Sequence, residues 1–130
     1  MELVAIVALL ALLEYWVFLV LTGQARGRFG VAAPATAGHP IFERYFRVQM
    51  NTLEQLALFL PGLSVFAWTV STRWAAALGV VFIVGRALYA WGYVTDPARR
   101  GPGFLLTLIA NAILVLGGLA GALFRLWFAD

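Results

Sequence analysis

The sequence contains no cysteine and no lysine, and its only histidine is His39. The lack of cysteine excludes a disulfide framework, a thiolate metal site and a cysteine nucleophile. A single histidine also excludes the zinc sites that need several, so we expect no metal centre. Because all nine basic residues are arginines, each is a planar guanidinium of the kind that binds carboxylates and phosphates.

Charge is scarce as well: 12% of the residues are charged, 63% are hydrophobic, and the mean hydropathy is +0.91. A soluble domain of this length exposes a large surface and would carry more charge. The composition therefore predicts an integral membrane protein. The net charge of +3 is spread over several segments, and such a distribution does not predict nucleic-acid binding.

Four long apolar segments predict an all-α fold, a single membrane domain that forms a four-helix bundle. A spanning helix needs about 20 mostly apolar residues. The first segment is too long for a cleaved signal peptide, so we expect a retained span, followed by a loop from Thr22 to Pro40 that is rich in glycine and proline. Glu14, in the middle of this span, is interpreted as hydrogen-bonded to a neighbouring helix or subunit rather than as a proton or ligand site. The predicted spans are residues 3–22, 41–70, 74–95 and 103–128.

Most arginines fall on one side of the predicted membrane. The positive-inside rule places their loops on the cytoplasmic side, of either a bacterial inner membrane or the endoplasmic reticulum. Trp68, Trp74 and Trp127 should mark the opposite interface as an aromatic belt. The first and third loops hold Arg26, Arg28, Arg44, Arg47, Arg99 and Arg100, whereas the second loop and the C-terminal region hold Arg73 and Arg125.

A polar stripe marks the entry of the second span. Arg47, Asn51 and Glu54 lie at i, i+4 and i+7, within roughly 60° of one another on a helix. Several arginines require carboxylates or phosphates, and a carboxylate requires an ammonium or an arginine. A zwitterionic small molecule with two carboxylates and one amine would satisfy the set. The converging groups are Arg26, Arg47, Asn51, Glu54, Arg86, Tyr89, Tyr93 and Arg100.

The same residues allow a purely structural interpretation. Glu43 could pair with Arg47 at i, i+4, and Glu54 could pair with Arg86, which would neutralise the charges internally. On the residues alone, this internal network and a ligand site are equally favoured.

Three runs of sequence resemble the MAPEG family, the membrane-associated proteins in eicosanoid and glutathione metabolism. The run FERYFRVQMNTLEQLALFLP resembles the family's second-helix signature. GRALYAWGYVTDPARR resembles its third-helix pattern of an arginine and two tyrosines followed by an arginine, and ARGRF resembles the end of its first helix. The match covers all four predicted spans.

The resemblance implies a homotrimer of four-helix bundles that binds glutathione between neighbouring protomers on the cytosolic side. Glu54 would hold the γ-glutamyl amine and the arginines would hold the carboxylates. Arg100 would stabilise the thiolate, which attacks a lipophilic electrophile or a lipid hydroperoxide that arrives from the membrane lipid. The glutathione contacts implied are Arg26, Arg47, Asn51, Glu54, Arg86, Tyr89 and Tyr93.

Two positions depart from the leukotriene-synthesising members of that family: Gln55 replaces a tyrosine and Gly27 replaces an arginine. These departures argue for a general glutathione transferase or peroxidase rather than a leukotriene synthase. The alternatives are a non-catalytic lipid-binding protein, like the lipoxygenase-activating member, and an assembly protein whose polar groups only neutralise each other. Retention of Arg100 and of the stripe favours the enzyme.

Overall fold

The computed structural model describes residues 1–129, and the regular structure within that range is entirely helical. This confirms the predicted all-α fold. The elements are α1 (Glu2–Phe29), α2 (Pro40–Thr69), α3 (Thr72–Thr95), a short 3₁₀ helix (Pro97–Arg100) and α4 (Gly101–Phe128). Helices α2 and α3 pack against each other, and α1 and α4 each pack on both of them.

Helix α1 continues to Phe29, so the prediction of irregular backbone from Thr22 is wrong. The two glycines in this stretch, Gly23 and Gly27, have no neighbouring atoms within 4 Å of an added Cβ, and the helix passes through them. Gly30 follows the last helical residue and caps the helix, with a φ of 68° in the left-handed conformation that favours glycine. Loss of hydropathy thus marked the end of the apolar stretch and not the end of the helix.

Local capping explains where the next two helices begin. His39 precedes α2, and its Nδ1 accepts a hydrogen bond from the backbone N–H of Ile41 at 3.2 Å. Pro40 occupies the first turn, where its missing N–H does no harm. Ser71 precedes α3 in the same way, and its Oγ accepts from the N–H of Trp74 at 3.2 Å. The single histidine is therefore a helix cap, a role usually filled by serine, threonine, aspartate or asparagine.

Three helices, α1, α3 and the segment that includes α4, are long and apolar enough to cross a membrane. Helix α2 is of similar length but carries the polar stripe in its first half. Because α2 packs alongside the three others, we expect it to cross with them. The interior is apolar around stacked Phe59 and Phe82, whose ring centres are 3.9 Å apart, while α1 and α4 present large apolar side chains outward.

Helices α3 and α4 approach closely near the arginine-rich end. A Cβ on Gly85 would lie 3.1 Å from the backbone nitrogen of Thr107. A Cβ on Gly103 would overlap the backbone of Tyr89. The absence of side chains at these two glycines therefore allows the start of α4 to lie directly against α3, and this contact forms one wall of the site described next.

Candidate active site

A cavity of about 320 Å³ opens at the end of the bundle where α2 begins and α3 ends. It brings together polar side chains from α2, α3 and the 3₁₀ helix, together with one phenylalanine from α4. Most of these residues are ones that the sequence predicted for a single site. The lining residues are Arg47, Asn51, Tyr89, Tyr93, Arg100 and Phe104.

Arg100 is positioned by the 3₁₀ helix that joins α3 to α4. Asp96 caps this helix, since its Oδ1 accepts from the N–H of Ala98 at 3.1 Å. Gly92 lets the helix pack on α3, because a Cβ there would overlap the carbonyl oxygen of Arg99. Arg100 donates through Nη1 to the carbonyl of Pro97 at 3.4 Å. This is a long bond to a neutral acceptor, so the guanidinium can still bind an anion.

Arg47 and Glu54 form a loose ion pair on the outer face of α2. The distance from Nη1 to Oε1 is 3.9 Å, and both side chains are 55% exposed. An exposed pair at this distance contributes little to stability, so either group can exchange its partner for a ligand. Glu54 does not line the cavity of this protomer. Within residues 1–129, neither the Glu43–Arg47 pair nor the Glu54–Arg86 pair of the internal-network interpretation forms.

Arg86 lies behind the cavity and is completely buried. Its Nη1 donates to Asn51 Oδ1 at 2.7 Å and to Thr52 Oγ1 at 3.4 Å, and its Nε donates to Thr107 Oγ1 at 3.0 Å. The guanidinium carbon lies 4.3 Å from the centre of the Tyr89 ring. In this chain, Arg86 therefore borders the cavity through Asn51 and Tyr89.

Arg26 is separate from the other predicted site residues. Its Nη1 donates to the carbonyl of Ala35 at 2.6 Å, and its guanidinium carbon lies 4.8 Å from the ring centre of Phe42. It borders a different surface depression, formed by the end of α1 and the following loop. Within one chain, then, the cavity has two cations, Arg47 and Arg100, and Arg26 does not reach it.

Glu14 is half-buried in α1, and its Oε1 has no hydrogen-bond partner among the described residues. The predicted hydrogen bond to another helix is therefore not found within the protomer, and a partner on another subunit stays a prediction. The described part of the chain also has no group of three or more metal-ligating side chains.

Comparison with known proteins identifies the family of this chain. The MAPEG family model matches residues 3–120. The chain belongs to the MAPEG family. Human microsomal glutathione S-transferase 2 is 39% identical over 92% of this chain and 81% of its own length. Rat leukotriene C4 synthase is 36% identical over 95% of this chain and 90% of its own. An uncharacterized protein of Synechocystis sp. is 48% identical over 94% and 89%.

Sequence reasoning missed several residues that shape the site of this MAPEG chain. Phe104 forms the apolar side of the cavity, and only its position at the start of α4 could have indicated this. Asp96 and Gly92 fix the 3₁₀ helix that carries Arg100. The sequence Asp-Pro at residues 96–97 is a capping signal that could have identified Asp96. The close contact that Gly92 allows between α3 and the 3₁₀ helix has no comparable sequence signal.

Proposed function

We propose that this protein is a membrane glutathione transferase that activates the glutathione thiol for attack on lipophilic electrophiles. The observation that carries the proposal is the cavity in which Arg47 and Arg100 face Asn51, Tyr89 and Tyr93. Two cations and several hydrogen-bonding groups suit a ligand with two carboxylates. Relatives named for glutathione transfer support the same substrate.

Size supports a site that extends beyond one protomer. A cavity of about 320 Å³ is at the lower limit of the range of about 300–1,000 Å³ for small-molecule sites. A tripeptide would fill it and project outward, where Glu54 and the Arg26 of a neighbouring chain could contact it. This arrangement requires the homotrimer expected from the resemblance. The distribution of arginines supports a cytoplasmic position for this end.

The proposed reaction needs no covalent enzyme intermediate. The thiol proton of glutathione passes to solvent, and the thiolate is held beside Arg100. The sulfur then forms a bond to the electrophilic carbon of a substrate that enters from lipid, while the leaving group, or the electron pair of an activated double bond, takes up the negative charge. The protein contributes position and charge stabilisation. In a related activity, the same thiolate attacks the outer oxygen of a lipid hydroperoxide, which leaves as the alcohol, and a second glutathione converts the resulting sulfenic acid to glutathione disulfide and water.

The side chain of Gln55 supports a general electrophile over a leukotriene precursor. Its Oε1 accepts from Asn111 Nδ2 at 3.0 Å, so this side chain binds α4 inside the bundle. The other departure, Gly27, leaves open space beside α1. Neither position supplies the tyrosine or the second arginine of the leukotriene-synthesising members.

Purified protein in detergent or liposomes should conjugate glutathione to a generic lipophilic electrophile such as 1-chloro-2,4-dinitrobenzene, and isothermal titration should detect glutathione binding. The matched control is Arg73→Ala, which removes an exposed arginine from the other end of the bundle and should keep full activity. Absence of both turnover and glutathione binding would exclude the proposed function.

A second candidate, lipid binding without catalysis, is favoured by an apolar groove of about 340 Å³ between α1, α2 and α3. The groove residues Val48, Ala90 and Val94 directly follow Arg47, Tyr89 and Tyr93 of the polar cavity in the sequence. Tight fatty-acid binding together with no glutathione turnover would support this candidate instead. The groove is lined by Phe18, Leu21, Tyr45, Val48, Ala90, Trp91, Val94 and Thr95.

A further inference from the structure

The buried guanidinium of Arg86, on α3, is held in one orientation by side chains from two other helices. Its Nε donates to Thr107 Oγ1 on α4 at 3.0 Å, and the Thr107 hydroxyl itself donates to the carbonyl of Gly103 at 2.9 Å. Its Nη1 donates to Asn51 and Thr52 on α2. Because the Thr107 hydroxyl uses its only proton on Gly103, its oxygen is an acceptor toward Arg86. The guanidinium plane is thereby fixed.

This arrangement determines which end of the Asn51 amide faces the cavity. A guanidinium has donors and no acceptor, so the atom of Asn51 that lies 2.7 Å from Nη1 must be the carbonyl oxygen. The amide nitrogen, Nδ2, is then directed away from Arg86. Within residues 1–129 it makes no hydrogen bond, and it is not among the fully buried polar atoms. Since Asn51 lines the cavity, its free N–H groups are available there.

We propose that Arg86 is a positioning residue that makes Asn51 a hydrogen-bond donor at the cavity wall. This proposal rests on the proposed function and deepens it. The site would then accept an oxygen of the ligand at this point, a carboxylate or a peptide carbonyl, and would reject a ligand that presents an N–H or O–H there. An asparagine whose side-chain amide could flip would bind either an acceptor or a donor of the ligand. The contact with Arg86 prevents the flip and so adds selectivity as well as affinity.

The sequence contains only two asparagines, Asn51 and Asn111, which makes the amide orientation directly observable. Protein labelled with ¹⁵N-asparagine should give two pairs of side-chain amide resonances by NMR, and Asn51→Asp identifies one pair by its loss. Asn111 is the internal control, because its Nδ2 donates to Gln55 Oε1 at 3.0 Å. We expect the Asn51 amide protons to exchange with water faster than those of Asn111. Slower exchange at Asn51 would overturn the proposal.

Arg86→Lys keeps the positive charge and loses the planar fork. We expect the Asn51 amide resonances to shift and broaden as the amide samples both orientations, whereas the Asn111 resonances stay in place. The matched control, Arg73→Lys at the far end of the bundle, should change neither pair. Unchanged Asn51 resonances in Arg86→Lys would overturn the proposal. If Arg86→Lys does not fold, the resonances of both asparagines lose their dispersion. The orientation of the Asn51 amide is then decided by its exchange rate in the parent protein, with the resonances assigned by Asn51→Asp.

Glutathione titrations of the variants test the consequence for the ligand. Asn51→Asp keeps an acceptor for Arg86 but turns a carboxylate oxygen toward the cavity, where it would face the oxygen of the ligand. We therefore expect Asn51→Asp to bind glutathione about tenfold more weakly than Asn51→Ala does. In an Asn51→Ala background, Arg86→Lys should add no further loss. Equal or tighter binding by Asn51→Asp, or independent losses that multiply, would overturn the proposal. If glutathione fails to bind the parent, the proposed function fails, while the NMR result still decides the amide orientation.

Discussion

At the scale of single residues, the chain uses arginines in two opposite environments. Arg86 is completely buried; neutral oxygens accept the hydrogen bonds of its Nε and Nη1, and its Nη2 has no partner among the described residues. Arg100 is exposed at the cavity rim and donates only a long hydrogen bond to the carbonyl of Pro97. An exposed guanidinium in a cavity can stabilise a developing anion, whereas a guanidinium that is buried behind the wall acts on the cavity by orienting its neighbours.

Replacing Arg100 with alanine should therefore reduce thiolate formation more than glutathione binding. The thiol has a pKa of about 8.5 in water, and an adjacent cation lowers that pKa, each unit of pKa being a factor of about ten in the ionisation constant. We expect the thiolate absorbance of the bound glutathione at neutral pH to fall severalfold in Arg100→Ala. Arg99→Ala is the matched control, since Arg99 is exposed in the same 3₁₀ helix but does not line the cavity. Equal absorbance in Arg100→Ala and the parent would remove Arg100 from the mechanism.

Replacing Glu54 with alanine should weaken glutathione binding itself. Its carboxylate is half exposed and only loosely paired with Arg47, so it can accept a charge-assisted hydrogen bond from an ammonium group. Loss of such a bond weakens binding by about 10- to 100-fold. Glu43→Ala removes an exposed acid one turn from the start of the same helix and should bind normally. An affinity that Glu54→Ala leaves unchanged, measured by titration calorimetry, would contradict the proposed pose.

Helical spacing in the sequence correctly put Arg47, Asn51 and Glu54 on one side of α2, but it could not give their depth. Asn51 is buried at 8% exposure, whereas the side chains of Arg47 and Glu54 are 55% exposed. The stripe lies at the edge of the packed face of α2. At such an edge, a small difference in the rotation of the helix about its axis decides which side chains point inward and which point outward. For the same reason, spacing alone could not show that Asn51 accepts a hydrogen bond from Arg86.

At the scale of helices, the site depends on how closely α4 approaches α3. Gly103→Ala should test this, because the added Cβ would overlap the backbone of Tyr89, which cannot move aside as a flexible side chain could. Overpacking of this kind destabilises a fold by about 1–3 kcal/mol. We expect a lower midpoint of thermal unfolding and weaker glutathione binding, since Tyr89 and Arg100 border the same cavity.

Gly101→Ala is the matched control for that experiment. It lies two residues earlier in the same helix, and an added Cβ there has no atoms within 4 Å. Its unfolding midpoint should equal or exceed that of the parent, because alanine favours a helix over glycine. The midpoints are measured by circular dichroism in detergent. Equal midpoints for Gly103→Ala and Gly101→Ala would show that the close approach of α4 to α3 is not required.

Hydropathy in the sequence predicted the number and type of the helices, and it was less informative about their ends and contacts. The apolar run identified α1, yet the helix extends through Gln24 and Arg26 to Phe29. Hydropathy reports where side chains prefer lipid, and a helix can continue into the polar interface. The glycines that seat α4 and the 3₁₀ helix against α3 are equally invisible to it, since their role depends on which backbone lies opposite.

At the scale of the whole molecule, the polar groups are concentrated at one end. Three of the five exposed tryptophans, Trp68, Trp74 and Trp127, lie at the other end, whereas Trp91 lies near the polar end. The cavity of one chain lacks Arg26, which lies on another surface, and α1 and α4 present apolar side chains outward. A second chain that packed on the apolar outer face of the bundle could cover this area and bring its own Arg26 to the cavity.

Mixed oligomers test that arrangement. Arg26→Ala and Arg100→Ala chains should each have low activity alone. If each site takes Arg100 from one protomer and Arg26 from the next around a closed trimer, random co-assembly at equal amounts restores about a quarter of all sites, and about a third of the sites in the mixed trimers. We therefore expect the co-expressed chains, purified through two different tags, to recover activity. The control is a mixture of the two separately purified variants under conditions without subunit exchange, which should stay inactive. A site contained within one protomer predicts no recovery, because every chain would still lack one of the two arginines.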